Sequence, residues 1–117
     1  MASSTEIRTA IRVVEAFKTV DPEITLPSML AFLYAVERDG QAGNQDSITQ
    51  RLDMSGATAS RAIGHWLAFK RPGQPGLDFM ESEIDPADRR YRLISLNGRG
   101  LAFVDKIKEF VNGASNG

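Results

Sequence analysis

At 117 residues, with 42% apolar and 25% charged, the chain is long enough for one hydrophobic core and too short for two sizeable ones. Its longest apolar run, Met29 to Val36, falls far below the ~20 residues that span a bilayer, and no basic-plus-apolar leader precedes Glu6, so a cytoplasmic chain is expected. The absence of cysteine excludes disulfides and thiol-based sensing, the single histidine (His65) excludes a shared transition-metal site, and a net charge of −1 gives no bulk reason to expect a polyanionic partner.

From Glu6 to Val20, Ile7, Ala10, Ile11, Val14 and Phe17 recur at helical spacing and predict an amphipathic helix; Met1 to Thr5 before it are small and polar and read as disordered. A second helix is expected over residues 25–39. Thr25 is placed to cap it, Pro27 suits its first turn, and Leu30, Leu33, Tyr34 and Val36 make it apolar on more than one side, as a central core helix needs. Gly40 to Gln45, with two glycines and no apolar anchor, reads as a linker.

Residues 46–70 carry the most specific pattern. Ile48 and Leu52 give one short helix a single apolar edge, Met54 breaks the period, and Ser55 is placed to cap a second helix with Ala59, Ile63 and Trp66 on its inner side. Thr58, Ser60, Arg61 and His65 are then expected to face outward, all with donors suited to phosphates or base edges. An ordinary helical hairpin packing a core gives the same spacing.

The turn formers Arg71-Pro72-Gly73-Gln74-Pro75-Gly76 stop that helix and read as a loop. Two strand-like runs follow, Leu77 to Ile84 and Tyr91 to Leu96, joined by Asp85-Pro86-Ala87-Asp88-Arg89-Arg90 with two guanidinium groups near the tip. A helix-turn-helix followed by such a hairpin is a winged helix, and the arginines suit the negative potential of a narrow minor groove. The alternative is a solvated turn in which Asp88 pairs with one arginine, an interaction worth only ~0–1 kcal/mol when exposed. Gly100 to Val111 forms the last predicted helix, with Phe103, Val104, Ile107, Phe110 and Val111 as its stripe, and Gly113 to Gly117 read as a disordered end. The expected fold is thus mainly α with a small β-hairpin (α+β): one winged helix-turn-helix domain over residues 1–117, with the wing at 77–96, amphipathic helices at both ends and the last of them at 98–111.

Charge is unevenly shared. Residues 44–71 carry an excess of two positive charges and residues 86–99 an excess of three, while the remainder sums to −6 and includes Asp78, Glu81, Glu83 and Asp85. Positive charge confined to the helix-turn-helix and the wing is the electrostatic footprint of a nucleic-acid partner.

Four segments together resemble the multiple-antibiotic-resistance regulator (MarR) family of winged-helix transcription factors. They are Ile24-Thr25-Leu26-Pro27 opening a helix through Leu30 and Leu33; Ile48 to Leu52 followed by Met54-Ser55 and Thr58 to Ile63; Asp85 to Arg90; and Ile94-Ser95-Leu96-Asn97-Gly98-Arg99-Gly100. The chain departs from the family in its longer Arg71–Gly76 loop, in Asp78, Glu81 and Glu83 where basic residues are usual, in Asn97 in place of threonine, and in a short segment after Val111. The resemblance implies a repressor that binds double-stranded DNA as a homodimer, needs no cofactor and has no membrane partner; nothing in the residues identifies a small-molecule effector. The DNA-binding set implied is Ser55, Thr58, Ser60, Arg61, His65, Arg89 and Arg90, with Arg61 foremost. The dimer interface implied is Ile11, Phe17, Val104, Ile107 and Phe110. No glycine-rich phosphate loop, nucleophile–base pair or metal spacing points to an enzyme. The rival reading is a winged helix that grips a polymerase or another regulator, with Asp78, Glu81 and Glu83 meeting a basic partner.

Overall fold

A computed structural model describes residues 2–116. The elements follow as α1 (Ala2–Val20), α2 (Leu26–Glu37), β1 (Gln41–Gly43), α3 (Gln45–Leu52), α4 (Gly56–Trp66), β2 (Phe69–Arg71), β3 (Gln74–Pro75), β4 (Met80–Ile84), β5 (Arg92–Leu96) and α5 (Gly98–Asn116). This is a winged helix-turn-helix with long terminal helices, mainly α with small antiparallel sheets.

Side-chain caps start four of the helices. Thr25 accepts from the Ser28 N–H at 3.4 Å, Asn44 from Ser47 at 2.9 Å, Ser55 from Thr58 at 3.1 Å and Asn97 from Gly100 at 2.9 Å. Each pairs an amide that the helix itself leaves without a partner. Asp53, in the left-handed region at φ 50°, closes α3 and lets the chain turn into α4.

Five aromatic rings form the centre: Phe17 of α1, Phe32 of α2, Trp66 of α4, Phe79 before β4 and Phe103 of α5. Phe32 and Trp66 lie 4.8 Å apart between centroids, and Phe17 meets Phe103 edge-on at 5.4 Å. The buried Trp66 indole N–H donates to the Ser28 carbonyl at 2.7 Å, so the ring carries no unpaired donor inside. On α2 the buried positions are Ser28, Ala31, Phe32, Tyr34 and Ala35, whereas Leu30 is exposed and Leu33 and Val36 only partly covered.

Several elements differ from expectation. The Gly40–Gln45 segment holds a strand, β1, which pairs antiparallel with β5 and completes the sheet order β1–β5–β4. Gly40 and Gly43 both take positive φ, and only the small Ala42 is buried between them. The Arg71–Gly76 loop is half of a second antiparallel hairpin, β2–β3, turned at Pro72-Gly73 with Gly73 at φ 79°. The wing strand starts at Met80 rather than Leu77, because residues 76–79 serve α4 instead. The amides of Leu77, Asp78 and Phe79 donate to the carbonyls of His65, Leu67 and Trp66 at 3.0, 3.2 and 2.8 Å. Helices α1 and α5 also run further than expected, over Ala2 to Thr5 and Gly113 to Asn116; extending a formed helix costs far less than nucleating one. Met1 and Gly117 lie outside the described residues.

Candidate nucleic-acid interface

Helix α4 is held by its inner face and offers its outer one. Ala59, Ala62, Ile63 and Trp66 are buried, while Ala57, Ser60 and Arg61 are exposed. The Gln45 side-chain amide donates to the Gly56 carbonyl at 3.2 Å, bracing α3 against the start of α4. At that start the Ser55 hydroxyl donates to Thr58 Oγ1 at 2.9 Å and accepts the Thr58 amide, so both side chains are engaged in the cap.

Two grooves flank this helix. The first, of about 560 Å³, lies between α4, the start of α2 and the β2–β3 hairpin, and is lined by Thr58, Ser60, Arg61, His65, Lys70 and Arg71 among others. The second lies between α4 and the wing and is lined by Ser60, Lys70, Ser82, Arg90, Tyr91 and Arg92 among others. Neither lining contains a carboxylate.

The wing shows how a chain of net negative charge keeps the second groove free of acid. Along β4, Ser82 faces the second groove and pairs across the sheet with Ile94, whereas Glu81 and Glu83 point to the opposite face by strand alternation. At the tip, the Asp85 carboxylate accepts from the Ala87 amide at 2.8 Å, and Asp88 accepts from the Arg90 amide at 3.1 Å. Arg90 also grips Asp88 through its guanidinium at 3.0 and 2.7 Å, which holds the Asp88 carboxyl below the usual carboxylate range and raises Arg90. Arg89 stands exposed beside this pair. Arg92 is tied to the Ser82 hydroxyl and carbonyl. Arg99, counted in the wing's positive excess, instead donates to the carbonyls of Asp78 and Leu77 and covers the Phe79 ring. Among the described residues, no carboxylate lies within ion-pair distance of Arg61, Lys70, Arg71 or Arg89.

His65 corrects its expected outward placement. Its side chain is only 15% exposed, its ring meets Trp66 edge-on at 5.3 Å, and Nε2 lies 3.2 Å from Asp21 Oδ2 without hydrogen-bond alignment. Burial lowers its pKa, Asp21 partly opposes this and Lys70 adds to it, so the ring is neutral at pH 7. The terminal helices bring a second correction. Phe17 and Ile107 are enclosed in the chain's own core, and Val104 and Phe110 are partly covered by it, because α1 and α5 pack on each other. Ile11 is exposed at 53%, in line with Ile7 at 61% and Val14 at 50%.

The sequence matches no family model and no curated protein. The fold is nonetheless shared with solved structures. A Staphylococcus aureus MepR mutant bound to an oligodeoxyribonucleotide aligns with a TM-score of 0.74 at 15% identity, over 95% of this chain and 73% of that one. A MarR-family transcriptional regulator from Rhodococcus aligns at 0.63 and 17% identity, over 97% and 71%. The chain has the MarR-type winged-helix fold. Bordetella bronchiseptica BpsR, whose DNA binding is regulated by 6-hydroxynicotinic acid, aligns at 0.56 and 21% identity, over 98% and 81%. Among the described residues no helix is long and apolar enough to cross a membrane.

In this fold α4 is the second helix of the helix-turn-helix and β4–β5 the wing. Sequence reasoning missed Lys70 and Arg71 as groove residues, and Arg92 on the wing. Their charge is visible in the sequence, but a Pro-Gly pair after a helix reads equally as a stop signal and as the corner of a hairpin, and nothing local to Arg92 shows that it faces the groove.

Proposed function

We propose that this chain is a MarR-family regulator that binds double-stranded DNA sequence-specifically as a two-fold dimer, in the cytoplasm, and represses transcription. The observation that carries this reading is the carboxylate-free lining of both grooves beside the recognition helix, in a chain with 15 acidic and 14 basic residues. A helix entering the major groove passes between two phosphate backbones, so cations are needed on both sides of it and acids on neither. Ser60 and Arg61 would meet base edges or phosphates, with Ser55 and Thr58 fixing the helix start. Arg89 would reach the minor groove, while Arg90 is held by Asp88 at its edge. His65, neutral and half-buried, serves as a brace for the helix end.

The exposed stripe Ile7, Ile11 and Val14 supports pairing through the terminal helices, with the partly covered Val104 and Phe110 of α5 adding to the joint while Phe17 and Ile107 stay in the core. The DNA site would be an inverted repeat with half-sites about one helical turn apart. Selection of bound sequences from a random pool, followed by titration of the selected duplex at fixed salt, tests this reading. The parent should enrich an inverted repeat, and Arg61→Ala should fold normally and lose about 1–3 kcal/mol of specific binding. A folded parent that enriches no sequence, or that sediments as a monomer well above the concentrations at which it binds, would overturn it. The rival protein-contact reading would then gain Glu81 and Glu83, which share the wing's outer face.

A further inference from the structure

The β2–β3 hairpin has no interior. All five of its strand residues are exposed, Phe69 at 62%, and nothing in the core rests on it. An isolated two-stranded hairpin of this size is marginal in water, so burial does not account for its form. It is instead built rigidly onto the recognition helix. Gly76 donates its amide to the Ala68 carbonyl at 2.9 Å and closes the base. A Cβ on Gly76 would lie 2.1 Å from the Leu67 carbonyl oxygen, so only glycine lets the returning strand pass. Gly64 on α4 marks where the hairpin lies against the helix: a Cβ there would stand 3.5 Å from the Lys70 carbonyl oxygen, an ordinary contact distance. Gly64 follows Ser60 and Arg61 by one turn on the helix's outer side, so the hairpin backbone is seated where the DNA-facing side of α4 continues.

That helix is short. Eleven residues span roughly 16 Å, and its last outward position is covered by the hairpin. The hairpin therefore replaces the end of the helix with two cations that have no ion-pair partner among the described residues. Lys70 lines both flanking grooves, and Arg71 lines the groove on the α2 side, opposite the wing.

We propose that the β2–β3 hairpin is a second DNA-backbone contact, with Lys70 and Arg71 neutralising phosphates on the side of the recognition helix opposite the wing. The inference rests on the DNA-binding reading above and adds an element to it. Contacts to phosphate position a protein without selecting a base, so the hairpin sets affinity and docking angle and leaves the preferred sequence unchanged.

The test uses the full chain and the duplex enriched by the parent. The variants are Lys70→Ala/Arg71→Ala and, separately, Arg61→Ala. Because both hairpin residues are exposed, the double variant should unfold at the parent's temperature. Its binding should weaken on every sequence together, its slope of log K against log salt should become shallower by about two units, one per lost phosphate contact, and random-pool selection should return the parent's motif. A double variant with the parent's affinity and slope would overturn the inference while leaving the DNA reading intact, provided Arg61→Ala is impaired. A double variant that binds more tightly would also overturn it, since the hairpin would then be a cover over the helix. A folded parent with no affinity for any duplex would remove the DNA reading itself, and the inference with it.

Discussion

The wing and the β2–β3 hairpin are both antiparallel, both end in arginine-bearing turns, and both flank α4, yet they are held by different physics. The wing has an inside: Met80, Ile94 and Leu96 are buried while Glu81 and Glu83 stand on the open face. A one-residue slip would exchange those two sets, so apolar burial fixes its register. The hairpin has none, and its position depends on a Pro-Gly corner, on Gly76, which allows close approach, and on carbonyls at the end of α4 that need partners. An element with a buried face is specified by its hydrophobic pattern. One without a buried face is specified by turn chemistry and by the backbone it must satisfy.

The sharpest way to break this contrast is stability. Met80→Ala should cost about 2–5 kcal/mol, the range for emptying a buried methionine site, whereas Phe69→Ala should stay within about 0.5 kcal/mol. Urea unfolding of both variants measures the difference directly, and similar losses would show that the hairpin has an interior after all. A smaller effect separates the two arginine tips of the wing. Arg89→Ala should make the salt dependence of DNA binding shallower by about one unit, and Arg90→Ala by less, because Arg90 already neutralises Asp88. Equal changes would mean that the Asp88 pair opens on DNA.

The smallest expected effect lies at the hairpin's root, where the His65 carbonyl accepts from Leu77 and the ring senses Lys70. The folded-state pKa of His65 is lowered, so as pH falls through about 6.5 the unfolded chain takes up this proton first. The stabilisation from neutral His65 is therefore present above about pH 6.5 and is lost on acidification. Thermal unfolding between about pH 7 and pH 5 should shift more for the parent than for His65→Gln. Parallel shifts would show that the ring is freely solvated.

How much of this was legible follows from the same distinction. Ser55 and Asn97 were readable as caps because a cap needs only a local side chain and a nearby amide. Ala59, Ile63 and Trp66 were readable because the helical period places them on one side. Phe32 was not singled out, although it sits in the aromatic centre, since α2 is apolar around most of its circumference and the period carries little information there. Strand β1 left no signal: a three-residue strand that follows one glycine and ends in another acquires its geometry only by pairing with β5. The terminal stripes were clear as stripes. Which of their residues faced inward was not, because an amphipathic helix states that it has an apolar side and not what covers it.

The sequence by itself determined the order of helices, the turn between α3 and α4, the paired arginines of the wing and the clustering of positive charge. These are set by contacts within a few residues or by composition. Only the tertiary structure decided that Phe17 and Ile107 are interior, that His65 turns toward Asp21, that Glu81 and Glu83 face away from the groove, and that Lys70 and Arg71 stand beside α4. Each of those depends on two segments far apart in the chain meeting at one place, which no local pattern records.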